Sequence, residues 1–308
     1  MPGPNYGFPG IPLRTLRVAL AQLRPHQASP DKNVERAARA LGEARKEDAN
    51  LVVFPELFLT GYWAKDMLYR LAEPITGPHV SELLRACSEH GLSAIVGFVE
   101  LDETYLHVYN SALLLSPDGE VAAYRKRHLP TFLVFDEARW FKAGHGPYSL
   151  WRVAGVPVGV EICYDVFFPE VTRAYALLGA WLVVAISASP DPSLRFFKLL
   201  TRARALENTV FFTWVNLVGV FDGLGFPGGS QVVSPLGDVV LECKTFQEEL
   251  RVVELDMGLV RRAREVRPVI RDLTAWDVAG LYDSYFRYVG LAPPASWPRL
   301  ERGRGTVT

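Results

Sequence analysis

Val158-Gly159-Val160-Glu161-Ile162-Cys163-Tyr164-Asp165-Val166-Phe167-Phe168-Pro169-Glu170 reads as an apolar strand that stops at a cysteine, with a helix beginning after Phe168-Pro169. Proline suits the first helical position, where no backbone N–H is needed. A nucleophile on a strand-to-helix turn projects from the rim of a sheet. The N–H of the following residue is then free to hold a developing oxyanion. The bland alternative is a buried cysteine acting as a small hydrophobe, the usual fate of a free thiol. Cys87 and Cys243 lie in no such context and read as structural.

Working outward, apolar runs of strand length recur along the chain. Arg17–Ala21, Leu51–Phe54, Ala94–Glu100, Ser111–Leu115 and Pro157–Ile162 come first. Trp181–Ile186, Phe211–Val215, Gln231–Val233, Val239–Glu242 and Arg251–Leu255 follow. Several are continuously apolar, as strands buried on both faces are. Helical patterns lie between them. Ser29-Pro30-Asp31 reads as an N-cap, a first-turn proline and an acidic first turn, ahead of a stripe at Val34, Ala37, Ala38, Leu41 and Ala44. Val80–His90, Glu170–Leu178 and Leu194–Asn208 are similar. Strand-helix alternation predicts an α/β layered fold. The turns Ser116-Pro117-Asp118-Gly119 and Ser234-Pro235-Leu236-Gly237-Asp238 predict hairpins, so the sheets should be mixed.

The chain has 308 residues, 49% hydrophobic and 22% charged, which excludes disorder for most of it. With 33 Lys+Arg against 34 Asp+Glu the net charge is −1, so neither nucleic acid nor an anionic membrane is an expected partner. Three cysteines make no disulfide framework and point to the cytoplasm. Residues 1–14 lack a signal-peptide core, and the longest near-apolar run, Ala174 to Ile186, is too short to span a bilayer.

Three further residues could share chemistry with Cys163. Glu56, in Phe54-Pro55-Glu56-Leu57-Phe58-Leu59-Thr60-Gly61-Tyr62, follows an apolar strand at the edge of the core. Partial desolvation there raises a carboxyl pKa and suits a general base; a loop carboxylate in solvent is the plainer alternative. Lys126, in Tyr124-Arg125-Lys126-Arg127-His128-Leu129-Pro130, could lower a thiol pKa and hold an oxyanion, or the basic run could be a solvated face. Glu137, in Phe135-Asp136-Glu137-Ala138-Arg139, is a second carboxylate near the lysine or a surface partner of Arg139.

Taken together these motifs resemble the nitrilase superfamily of carbon-nitrogen hydrolases, in its amidase-like branch, from Val18 to about Asp272. Phe54-Pro55-Glu56 with Thr60-Gly61-Tyr62, Arg125-Lys126 with His128-Leu129, and Gly159 to Glu170 are similar to its glutamate, lysine and cysteine motifs, in order. Gln22, Asn33, the segment Phe135 to Gly144, Arg202 to Asn208, Asn216 with Gly219, and Gly228-Gly229-Ser230 are similar to its flanking segments.

The resemblance implies a four-layer α-β-β-α sandwich with two mixed β-sheets. It implies that Glu56 acts as base, Lys126 and the Tyr164 N–H as oxyanion donors, Cys163 as nucleophile and Glu137 as helper. Tyr62, Trp140, Phe168 and Ser187 are expected around the pocket. Tyr164-Asp165 is similar to amidase-type branches, so the expected substrate is a small linear amide, cleaved through a thioester to ammonia and a carboxylate. N-carbamoyl amino acid (ureido) and nitrile hydrolysis are the alternatives. A glutaminase is disfavoured because no synthetase follows in the chain. Neither a cofactor nor a metal is expected, and the partner is a second copy in a homodimer or higher homo-oligomer. Val171–Leu178 and Trp276, Leu281, Tyr282, Tyr285 and Phe286 are expected to supply its surface.

Four rivals stand beside this reading. In a Cys-His hydrolase His128 would be the partner; a catalytically inactive scaffold would use the fold for assembly alone. The Gly-rich piece Gly223–Gly229 reads as a loop near the pocket, not a phosphate site. Arg261, Arg262, Arg264, Arg267 and Arg271 read as salt-bridging residues rather than an anion site. Length alone suggests two domains at roughly 150 residues each. Because the three motifs must meet, residues 15–291 are expected to form one domain, with 1–14 an N-terminal extension and 292–308 a tail.

Overall fold

A computed structural model describes residues 15–292, so residues 1–14 and 293–308 of the expected extension and tail lie outside it. The first strand, β1 (Thr15–Gln22), leads into α1 (Pro30–Lys46) and β2 (Leu51–Val53). Pro30 opens α1, and Val34, Ala37, Ala40, Leu41 and Ala44 form its buried face. Ser29 stands at the N-cap but does not cap with its side chain; its hydroxyl donates to the Gln27 carbonyl at 3.2 Å.

Next come α2 (Leu68–Leu71), α3 (Pro78–His90), β3 (Ser93–Asp102), β4 (His107–Leu115) and β5 (Val121–Arg125). The middle holds α4 (Glu137–Trp140), β6 (Trp151–Val153), β7 (Val156–Ile162), α5 (Pro169–Leu177), β8 (Leu182–Ser187), α6 (Leu194–Asn208) and β9 (Phe211–Asn216). Then follow β10 (Val218–Phe221), β11 (Leu224–Pro227), β12 (Gln231–Val233), β13 (Val239–Glu242) and β14 (Glu249–Asp256). Helices α7 (Gly258–Val266), α8 (Val269–Asp272) and α9 (Ala275–Tyr288) close the described chain.

Two six-stranded mixed sheets result, ordered β14-β1-β2-β3-β4-β5 and β13-β12-β9-β8-β7-β6. In each, parallel pairs lie at the centre and antiparallel ones outside. Leu16, Val18 and Leu20 of β1 and Val53 of β2 share a core with Val158, Val160 and Ile162 of β7, so the sheets stack face to face. The opposite faces of β1 and β2, Ala19, Ala21 and Val52, pack under α1 and α3. Helices α5 and α6 cover the other sheet. This is the expected four-layer α-β-β-α sandwich, each layer burying the apolar stripe of the next.

Both expected hairpin turns are present, joining β4 to β5 and β12 to β13. The run Ala174 to Ile186 divides between α5 and β8, and no helix among the described residues is long and apolar enough to cross a membrane. A further expectation fails. The Gly-rich piece at 223–229 is not a plain loop, because Leu224–Pro227 pairs with Val218–Phe221 as an antiparallel ribbon. The turn at Asp222-Gly223 allows it, with both residues in the left-handed region.

Candidate active site

Glu56 sits on a tight turn beyond β2, pressed onto Gly97 of β3. The Gly97 N–H donates to the Pro55 carbonyl at 3.2 Å, and the Leu59 N–H donates to the Gly97 carbonyl at 3.0 Å. A Cβ on Gly97 would lie 2.2 Å from the Leu57 nitrogen, so only glycine lets the turn approach. Asn33 of α1 secures the far end, donating to the Leu59 carbonyl at 2.8 Å. Glu56 is fully buried rather than at the core's edge. Its Oε1 accepts from Lys126 Nζ at 2.7 Å and Asn110 Nδ2 at 2.8 Å, and its Oε2 from the Ala188 N–H at 2.7 Å.

Lys126 follows β5 and is itself fully buried. Its N–H donates to the Asn110 carbonyl, and its carbonyl accepts from the Gly144 N–H at 2.7 Å. The basic run is therefore not a solvated face. Arg125 turns to Glu100 at 2.5 Å and Arg127 lies over the Tyr148 ring, while Lys126 alone points inward. Its Nζ also donates to Glu137 Oε1 at 2.8 Å. Glu137, at the start of α4, accepts from the Tyr62 hydroxyl at 2.6 Å through the same oxygen. Its surface alternative falls away, since Arg139 lies 4.0 Å from Asp136 instead.

Cys163 begins a single 3-10 turn, Cys163–Phe167, between β7 and α5. Its φ of +47° places a non-glycine residue in the left-handed region, a strain that surrounding bonds must hold. Asp165 supplies some of them, accepting from the Ile162 N–H at 3.1 Å, the His128 N–H at 3.0 Å and the Tyr124 hydroxyl at 2.9 Å. Arg204 of α6 holds the other end, donating to the Val166 carbonyl at 3.0 Å and the Phe167 carbonyl at 3.4 Å.

The electrostatics are those of a shared proton reservoir. Burial works to discharge Lys126, but Glu137 and Glu56 outweigh it and hold its pKa above the ordinary lysine value. Burial pushes Glu137 up to about 7, with Lys126 opposing and Glu56 reinforcing the rise. Burial holds the Cys163 thiol well above its ordinary range; Glu56 adds to this, and Lys126 and the Ala188 N–H pull against it. At neutral pH the cluster thus presents a protonated thiol, an ammonium and, in Glu137, a carboxyl group poised to gain or lose a proton. That combination can move a proton and hold a negative charge.

His128 does not face the thiol. Its Nδ1 lies 2.7 Å from Asp165, and its ring stacks on Phe168 with centroids 3.5 Å apart. This removes His128 as the partner of a Cys-His hydrolase, and Phe168, expected around the pocket, does not line the cavity beside the cluster. The Tyr164 ring packs against Phe132, Phe167 and Phe168. Ser187 is fully buried, accepting from the Trp214 indole at 2.8 Å, and it does not line the cavity beside the cluster. Tyr62 and Trp140 do line it.

Two participants escaped the sequence reading. Asn110 bridges the carboxylates, and its only signal was a polar residue inside an apolar strand. The Ala188 N–H had no signal, since a backbone donor leaves no mark in sequence. Its position is held by Asn216, whose Oδ1 accepts from the Ser189 N–H at 2.8 Å. Asn216 is tied in turn, through Ser230, to Gln22.

Comparison with known proteins shows the family. The family model described as carbon-nitrogen hydrolase matches residues 17–265. An (R)-stereoselective amidase of Pseudomonas sp is 35% identical over 260 residues, covering 83% of this chain and 91% of that protein. A glutamine-dependent NAD(+) synthetase of Thermotoga maritima is 36% identical over 264 residues. That match covers 83% of this chain but 45% of the synthetase, so the chain spans less than half its length. A double mutant of the amidase from Nesterenkonia sp. AN1, in complex with acrylamide, matches with a TM-score of 0.76 and 26% identity, over 89% of this chain and 98% of that one.

Proposed function

Because the chain belongs to the carbon-nitrogen hydrolase family, within the nitrilase superfamily, we propose that it cleaves the C–N bond of a small linear amide, releasing ammonia and a carboxylate. One observation carries the reading: Lys126 Nζ bridges Glu56 and Glu137 at 2.7 and 2.8 Å, and the charges of all three act on the Cys163 thiol.

The steps follow from those positions. Since burial keeps the thiol protonated, attack needs a base, and Glu56 takes the Sγ proton as sulfur bonds to the amide carbon. An ammonium has three donors, and two are committed to the carboxylates; the third, with the Tyr164 N–H, holds the oxyanion. Glu56 returns the proton to nitrogen, the C–N bond breaks, ammonia leaves and a thioester remains. Water, deprotonated by Glu56 and placed by Glu137, attacks the thioester. The acid departs and Cys163 recovers its proton.

The likeness to the amidase bound to acrylamide supports a simple amide. The likeness to a glutamine-dependent synthetase raises glutamine as a second candidate. Ammonia release across simple amides, glutamine, N-carbamoyl amino acids and nitriles tests the reading, with Cys163→Ala as blank. Turnover of a simple amide by the parent alone supports it. Turnover that survives in Cys163→Ala rejects the mechanism, and a chain inert towards every class is the inactive scaffold.

Residues 15–291 are read as one domain, because Glu56 and Lys126 come from one sheet and Cys163 from the other. Three cysteines without disulfide partners, all buried, support a cytoplasmic setting. Exposed apolar side chains at the end of α5 and on α9, Leu177 with the following Leu178 and Trp276 with Leu281, support a homodimer.

A further inference from the structure

Beside the cluster lies a cavity of about 200 Å³ whose walls include Tyr62, Trp63, Leu68, Phe135, Trp140 and Phe141. Tyr62 and Glu137 belong both to this cavity and to the Lys126 cluster, so a group held here lies on the Glu137 side of that cluster. The walls are set before any ligand arrives. Tyr62 stacks on Trp63 with centroids 5.7 Å apart and meets Phe135 edge-on at 6.4 Å. Asp222, at the tip of the β10–β11 ribbon, accepts from the Trp63 indole at 3.0 Å and from Lys65 at 2.5 Å, fastening that wall from outside.

The charged residues that line the cavity already have partners. Glu137 accepts from Lys126 and Tyr62, Lys65 donates to Asp222, and Asp136 lies 4.0 Å from Arg139. An amino-acid amide brings an ammonium and a carboxylate. Lys65, paired with Asp222, is more than half exposed, so a carboxylate seated among Tyr62, Leu68, Phe135 and Trp140 meets no cation there, and an unpaired charge against those walls is costly. An apolar group meets aromatic walls at no such cost. A cavity of about 150 Å³ holds benzene, so this one takes a group of about phenyl size.

Resting on the amidase reading above, we propose that the substrate is a neutral carboxamide carrying an apolar group of up to about phenyl size, seated among Tyr62, Leu68, Phe135 and Trp140. Glutamine and its kin are then poor substrates. Each methylene buried in the cavity should raise kcat/KM about fourfold until it is full.

The test is kcat/KM on the whole chain for acetamide, propionamide, butyramide, hexanamide and phenylacetamide, against glutamine and asparagine. A rise along the neutral series, with both amino-acid amides below butyramide, supports the proposal. Glutamine exceeding every neutral amide, or a flat series, overturns it while leaving the hydrolase reading intact. Inertness towards all seven overturns both. Leu68→Phe, which fills the cavity, should move the optimum to a shorter chain; an unmoved optimum places the apolar group elsewhere and overturns the assignment.

Discussion

Lys126 is buried between two carboxylates, and removing it does more than delete an oxyanion donor. It leaves Glu56 and Glu137 facing each other without a cation. Breaking a buried ion pair from one side costs about 3–5 kcal/mol of stability. Lys126→Ala is therefore expected to be both inactive and destabilised by about that amount. Cys163→Ala should be inactive yet unfold at the parent's denaturant concentration. Equal urea midpoints for the two variants would contradict the buried-cluster reading.

A second residue takes no part in the proposed chemistry. Glu161, on β7 beneath α5, is fully buried; its Oε2 accepts from the Thr172 hydroxyl at 3.0 Å, and its Oε1 has no partner. Burial pushes it up to about 8, Asp165 adds to the rise, and Thr172 and Arg204 oppose it. Between the ordinary carboxyl value of 4.5 and about 8 the folded chain keeps a proton that the unfolded chain has lost. Stability must then fall as pH rises through that window. Glu161→Gln removes the term. Its stability relative to the parent, measured by urea unfolding, should improve steadily from pH 5 to pH 8, and a difference that is constant with pH rejects the assignment.

Among elements, the turn that carries Glu56 depends on β3 as much as on its own sequence. With Cβ at 2.2 Å from the Leu57 nitrogen, Gly97→Ala must push the turn away and lengthen the Glu56–Lys126 bond. Activity should fall at least a hundredfold, since a misplacement of about 1 Å has that effect. The checks are kcat on a simple amide and retention of a folded circular dichroism spectrum. Element by element, continuous apolar runs such as Val156–Ile162 and Leu182–Ser187 were legible, because strands buried on both faces must be apolar. The ribbon β10–β11 was not. Its glycines suggest a loop, and only its pairing makes it a strand. Ser29 looked like a cap because local chemistry favours one, but its hydroxyl found a nearer acceptor at Gln27.

At the scale of the molecule, one helix remains unexplained by the described chain alone. On α9, Trp276, Leu281 and Tyr285 are each more than half exposed. Burying such side chains contributes about 1.5–3 kcal/mol each, which favours association. Light scattering should give a mass twice that of the chain, and Trp276→Glu with Leu281→Glu should reduce it; a monomer at micromolar concentration contradicts the dimer.

By itself the sequence determined an α/β layered fold, because apolar period is written in the chain; the four layers and the joint candidacy of Glu56, Lys126, Glu137 and Cys163 followed from the resemblance of their motifs to the nitrilase superfamily. Tertiary structure decided their relations. It brought Lys126 onto both carboxylates, turned His128 to Asp165, buried Ser187 against Trp214 and recruited Asn110 and the Ala188 N–H. The reason is physical: hydrogen bonds between residues far apart in sequence, and donors that belong to the backbone, have no local signature. They exist only once the strands have paired and the two sheets have stacked.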